Sequence, residues 1–173
     1  MNRRSMLVAP TLLLCLLYVT GQAAPSWFAN LQLSVNDVVP VALTQQGLLA
    51  DVTFTGYASG PYIVRGTVAG VDHAIFDASG NAILNVYLTI TDRNGDQISA
   101  NITGFAIYRN SGQHSLEGTK GIIINEQDPI SGVFHATTGK FALLLGASFE
   151  DVGIITAFSF VPPAGLIHAS WYL

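Results

Sequence analysis

Apolar side chains recur at every second position through much of this chain, and a polypeptide with that rhythm must bury one face of a β-sheet. Over residues 84–91, Leu84, Val86, Leu88 and Ile90 share one face while Asn85, Tyr87, Thr89 and Thr91 share the other. Asp92-Arg93-Asn94-Gly95-Asp96 follows, and its Asn-Gly pair predicts the positive φ angles of a tight hairpin turn. Alternation resumes over 97–109, with Ile98, Ala100 and Ile102 set against Gln97, Ser99, Asn101 and Thr103.

Further strands are expected over 31–35, 48–55, 62–68, 74–76, 132–136, 140–145, 154–161 and 166–173, with turns at 56–61 and 77–81. Eight to ten short, evenly spaced strands predict an all-β domain, either a closed antiparallel barrel of calycin type or a β-sandwich. The final strand is aromatic (Trp171, Tyr172) and would be costly as a free edge. Closure hides such an edge, so the barrel is favoured. The polar stretches 110–120 and 126–129 break the rhythm and are expected to be loops at a barrel mouth.

The N-terminus follows other rules. Arg3 and Arg4 precede an apolar run over 7–19, too short for the roughly 20 residues that span a bilayer. Gly21-Gln22-Ala23 then supplies the small residues a signal peptidase reads, which predicts a secretory signal at 1–23 and cleavage after Ala23. Cleavage removes the single cysteine, Cys15, and leaves one exported domain, 24–173, with no disulfide. Of seven basic residues, Arg3 and Arg4 leave with the signal, so five face eleven acidic ones and the net charge is −6. A chain so acidic is not expected to bind nucleic acid, nor an anionic membrane once the signal is cleaved. Asn101-Ile102-Thr103 is a glycosylation sequon, which makes Asn101 the candidate acceptor in a eukaryotic source.

Two segments together are similar to known families. Thr137-Thr138-Gly139-Lys140-Phe141-Ala142, with Gly146-Ala147 beyond it, resembles the Gly-Thr-Gly-x-Phe signature of allene oxide cyclase and dirigent barrels. The stretch 54–66, with the Asn-Gly hairpin, is also similar to the barrels grouped as domain of unknown function 3237. The first glycine of the signature is replaced here by Ala136 or Thr137, and its later small residues by Leu143, Leu144 and Leu145. The resemblance implies an antiparallel barrel around an apolar cavity that steers cyclisation or isomerisation of a small molecule, without a cofactor and often as a homo-oligomer. It carries over no catalytic residue.

Motifs for other chemistries are missing. There is no Gly-x-Ser-x-Gly elbow, His-Glu-x-x-His helix or phosphate loop. His73, His114, His135 and His168 do not lie at metal-ligand spacings, so no metal is expected. Asp92-x-Asn94-Gly95-Asp96 lacks the later glutamate of a calcium loop and reads as a turn.

The catalytic candidates are therefore Arg65, His73 and His135. Arg65 is expected mid-strand, where its planar fork could hold a carbonyl or carboxylate, or else cover outer apolar surface. Asp72-His73 is read as an acid–base pair at a strand entry, or as a turn aspartate beside an exposed histidine. His135 alternates with Phe134 and faces the cavity only if that cavity is polar. Tyr62, Tyr87 and Tyr108 are the candidate substrate-binding residues, each with a hydroxyl on an apolar body. Three functions stay open on these residues: a cofactor-free cyclase or isomerase, a secreted lipocalin-like carrier of an apolar small molecule, and a structural protein with a filled core.

Overall fold

The computed structural model describes residues 26–107, 122–124 and 130–173. The predicted signal, the loops 110–120 and 126–129, and Tyr108 lie outside these residues. Nine strands follow in chain order: β1 Trp27–Leu43, β2 Leu48–Ser59, β3 Gly66–Phe76, β4 Ala82–Thr91, β5 Gln97–Ile107, β6 Ile122–Ile124, β7 Ile130–Thr137, β8 Ser148–Phe160 and β9 Pro163–Tyr172. Each pairs antiparallel with its neighbour, and β6 and β7 together fill one place between β5 and β8. The ring closes where the aromatic strand β9 pairs with β1, from Trp27↔Tyr172 to Ser34↔Leu166. The expected barrel is thus formed, and no edge remains at β9 for another chain to pair with.

Alternation sets what the barrel encloses. On β1, Leu31, Leu33 and Val35 are buried, while Asn30, Gln32 and Ser34 are exposed. On β4, Leu84, Leu88 and Ile90 point inward and Ile83 and Tyr87 outward. The hairpin joins β4 to β5 in the expected register, from Thr91↔Gln97 to Ala82↔Ala106.

Two aromatic clusters stop the two ends. Phe134 stacks on Phe149 at 4.6 Å, Phe149 lies 4.3 Å from Trp171, and Phe28 lies 5.6 Å from Phe134. At the opposite end Phe76, Phe158 and Phe160 pack at 5.0–5.7 Å.

Several local expectations need correction. The hairpin turn has only one positive φ, at Gly95 (86°), and Asn94 does not share it. Gly95 N–H donates to the Asp92 carbonyl and Asp92 N–H to the Asp96 carbonyl, the three-residue loop with a glycine bulge. Asp77-Ala78-Ser79-Gly80-Asn81 repeats it bond for bond, because in both loops the first aspartate's Oδ1 accepts two later N–H groups. A Cβ at Gly95 meets nothing within 4 Å, so Gly95→Val acts through backbone strain alone. It is expected to cost about 1–2 kcal/mol, read as a melting point a few degrees lower.

Residues 140–145 are not a strand. Gly139–Leu144 forms a 3-10 helix that buries Phe141. Thr138 Oγ1 accepts from Gln97 N–H at 2.8 Å, and Lys140 pairs with the buried Asp92. Gly139 has φ 54°, and a Cβ there would collide with the Asp96 carboxylate. The Thr-Gly-Lys-Phe segment thus pins a corner onto the β4–β5 turn.

Candidate functional site

Between the aromatic ends lies a cavity of about 60 Å³, open to the centres of water-sized molecules. One water needs roughly 10–15 Å³ by that measure, so the space suits a few waters or a compact small molecule. Its walls are apolar, with Leu33, Phe54, Leu88, Ile102 and Ile155 among them, and three polar side chains break the surface: Asp72, Asp151 and Trp171.

Asp72 reaches the interior by strand parity, on the same face of β3 as Val68, Ala74 and Phe76. It is only 8% exposed. Its Oδ1 accepts the Asn85 N–H at 2.8 Å, in the interval between the Asp72↔Val86 and Ile75↔Ile83 pairs of the β3–β4 ladder. Burial pushes its pKa up to about 6, against the smaller opposing pulls of that N–H and of the His73 charge.

Asp151 lies on β8 opposite Trp171 of β9 and is 7% exposed. Burial pushes its carboxyl up to about 7, and the Trp171 indole N–H offsets only part of this. The two groups approach without completing a hydrogen bond: Asp151 Oδ1 and Trp171 Nε1 have no partner among the described residues. A buried polar atom left open costs about 1–3 kcal/mol, so these two polar atoms do not serve stability, whatever the indole ring contributes by packing.

The residues expected from sequence lie elsewhere. Arg65 is not mid-strand; it occupies an exposed turn ahead of β3 with φ 55°. Asp72 and His73 do not form a pair, because consecutive strand residues point to opposite faces. His73 is on the outside, its Nδ1 2.7 Å from Asp51 Oδ1. Its ring lies 5.9 Å from that of Tyr87, which lies 6.5 Å from that of His135. Three candidates are thus gathered, but on the outer wall and away from the cavity. Tyr62 is exposed and stacks on Phe28 at 6.2 Å. Asn101 Nδ2, the atom a glycan would take, donates to Asn85 Oδ1 and the Val86 carbonyl. Among the described residues no three His, Cys, Asp or Glu gather as metal ligands.

Asp151 and Trp171 were legible by parity. Asp151 shares its strand face with Phe149, Gly153 and Ile155, and an acidic residue in that set signals a carboxyl inside the barrel.

No family model matches the chain, and no curated protein does. Solved structures do match, each covering 87% of this chain. A conserved protein of unknown function from Rhodopseudomonas palustris is 13% identical, with 97% of its own chain covered and a TM-score of 0.60. A protein of unknown function from Clostridium acetobutylicum is 15% identical over 99% of its chain, also at 0.60. A β-barrel-like protein from Acinetobacter baumannii is 17% identical over 96% of its chain, at 0.58. These likenesses establish the barrel fold alone.

Proposed function

We propose that the protein is a cofactor-independent isomerase or cyclase that acts on an apolar small molecule inside the barrel, with Asp72 and Asp151 moving a proton. One observation carries this reading: two carboxyls, each more than nine-tenths buried, break the wall of a single apolar cavity. Carboxyls so placed are pushed to pKa values of about 6 and about 7, near the pH at which an acid–base catalyst works best. The Asn85 N–H assigns the roles, because it donates to Asp72 Oδ1 and so favours the charged carboxylate, while Asp151 Oδ1 has no such donor among the described residues. Asp72, held by the Asn85 N–H, ionises first and is the base, while Asp151 keeps its proton longer and is the acid. The resemblance to allene oxide cyclase and dirigent barrels agrees with chemistry by confinement, with the roles carried by the carboxyls instead of Arg65, His73 and His135.

The test is incubation with small enolisable or epoxide precursors, followed by chiral product analysis. Asp72→Asn is expected to slow turnover about a hundredfold or more. Arg65→Leu, His73→Ala and His135→Ala are expected to leave it unchanged. A product ratio and rate equal to those in buffer would rule out the enzyme. Carriage is the second reading, favoured by the apolar character of most of the cavity wall. A carrier would release its ligand chemically unaltered. We further propose that the domain is exported through the signal at 1–23, which N-terminal sequencing of secreted protein would contradict by finding Met1 in place.

A further inference from the structure

We propose that Trp171 and Asp151 form a two-donor site for a carbonyl oxygen, and that the ligand of the cavity is a compact, neutral, enolisable ketone or enone. The inference deepens the proton-transfer reading of the barrel interior and rests on it.

The geometry comes first. Asp151 and Trp171 are direct cross-strand partners on β8 and β9, and both line the cavity. Trp171 is wholly buried, and its Nε1 has no acceptor among the described residues. An indole N–H can only donate, so the group that completes it must accept. Asp151 Oδ1 is likewise open, and a neutral carboxyl in the wall of the same cavity can supply a second donor. A ligand carboxylate would bring a second negative charge next to Asp72 and Asp151 in an apolar cavity holding no described cation, so an anionic ligand is disfavoured. A protonated amine has no lone pair and would leave the indole N–H unpaired. A carbonyl oxygen has two lone pairs and can accept from both donors. The cavity volume of about 60 Å³ limits the ligand to a compact molecule.

The chemistry then balances without a co-reactant. The Asp72 carboxylate takes a proton from the carbon next to the carbonyl. The C–H electron pair becomes a C=C bond, and the carbonyl π pair moves onto oxygen, where the Trp171 N–H and the Asp151 O–H hold it. With a β,γ-unsaturated ketone, Asp72 returns the proton to the γ carbon, the C=O bond re-forms, and the double bond has moved into conjugation. Both carboxyls end as they began. With a saturated ketone the same cycle in D2O exchanges hydrogen for deuterium at the α carbon.

Cyclopentanone and methylenecyclopentane make the test, since they match in shape and differ in the acceptor. The protein is expected to bind the ketone about tenfold more tightly, and the Trp171 indole N–H resonance to move downfield with the ketone only. Trp27 supplies the second indole signal, and Trp171→Phe identifies which is which. Trp171→Phe keeps an aromatic ring in the stack and is expected to cut the preference to about threefold or less, since only the Asp151 donor remains. Equal binding of the two compounds with an unmoved indole signal overturns the carbonyl site, while deuterium exchange or product formation with another substrate would leave the proton-transfer reading standing. Ketone preference without α-deuteration supports the donor pair and overturns the isomerase reading instead. Failure of both compounds to bind overturns the site.

Discussion

At pH 8 the double variant D72N/D151N is expected to melt about 10 °C above the unaltered protein, and at pH 4 a few degrees below it. The reason is the sign of the linkage. Both carboxyls have folded-state pKa values raised above the ordinary 3.8, Asp72 to about 6 and Asp151 to about 7. Below pH 3.8 they are protonated in folded and unfolded chains alike, and the native state carries no penalty. As pH rises toward 6 and then 7, the unfolded chain loses protons that the folded chain still holds, and stability falls. At about 1.4 kcal/mol per unit the full loss is about 3 kcal/mol for Asp72 and about 4 kcal/mol for Asp151. Above pH 7 it is constant. Asparagine does not ionise, so the variant escapes this loss, less about 1–2 kcal/mol for each buried amide that finds an incomplete set of partners. A net gain of about 3–5 kcal/mol corresponds to about 10 °C in a domain of this size.

Asp92 works in the opposite direction. Its bond with Lys140 and the N–H groups of its turn hold its pKa below the usual carboxylate range, so its contribution is present at neutral pH and lost in acid. The unaltered protein should therefore be most stable on the acid side of neutrality. Thermal melts at one-unit steps from pH 3 to 9 check both limbs, and a flat profile between pH 4 and 8 would mean that the two carboxyls are not buried. Natural domains have only about 5–15 kcal/mol in all. Two groups that lower it by several kcal/mol at neutral pH, and whose removal is expected to stabilise, fit a site kept for its chemistry.

The legibility of this molecule divides along physical lines. Strand parity is local and period two, so the β4–β5 hairpin and its inward set Leu84, Leu88, Ile90, Ile98 and Ile102 could be read from the chain. Closure through β9 was legible because an aromatic terminal strand has to be covered. The segment 140–145 misled because Phe141, Leu143 and Leu145 alternate as a strand would. What decides its form is non-local: the Gln97 N–H and Asp92 bond to it from the neighbouring hairpin, and the Asp96 carboxylate leaves room only for a glycine at 139. The site was misread for a different reason. Histidine, arginine and tyrosine stand out as reagents by their chemistry, but it is strand parity that decides whether they meet the cavity. His73 and His135 fall on the outward set of their strands, and Asp72 and Asp151 on the inward one. In a barrel with a ten-residue strand, one position of register decides whether a side chain meets ligand or solvent.

Trp171→Ala is expected to cost about 3–5 kcal/mol, the range for deleting a large buried aromatic. The ring is fully buried, lies 4.3 Å from Phe149 and 5.9 Å from Phe134, and belongs to the strand that closes the barrel on β1. Phe149 and Phe134 are held by each other and by Phe28, so the surroundings have little freedom to collapse into the space. Urea unfolding should show the midpoint falling with an unchanged slope, since the surface exposed on unfolding hardly differs. Trp171→Phe keeps the stack and should cost less than about half as much. The deletion also has an electrostatic consequence that a purely packing account would miss. The space left by the indole adjoins Asp151 and is polar on that side, so water can enter it. Hydration relieves the burial that holds the Asp151 carboxyl near 7 and returns it toward ordinary acidity. The fall in stability between pH 4 and 8 should then shrink in Trp171→Ala by roughly the Asp151 share, while the Asp72 share persists. A pH profile in the alanine variant that keeps its full depth would show that something other than this aromatic end keeps Asp151 dry.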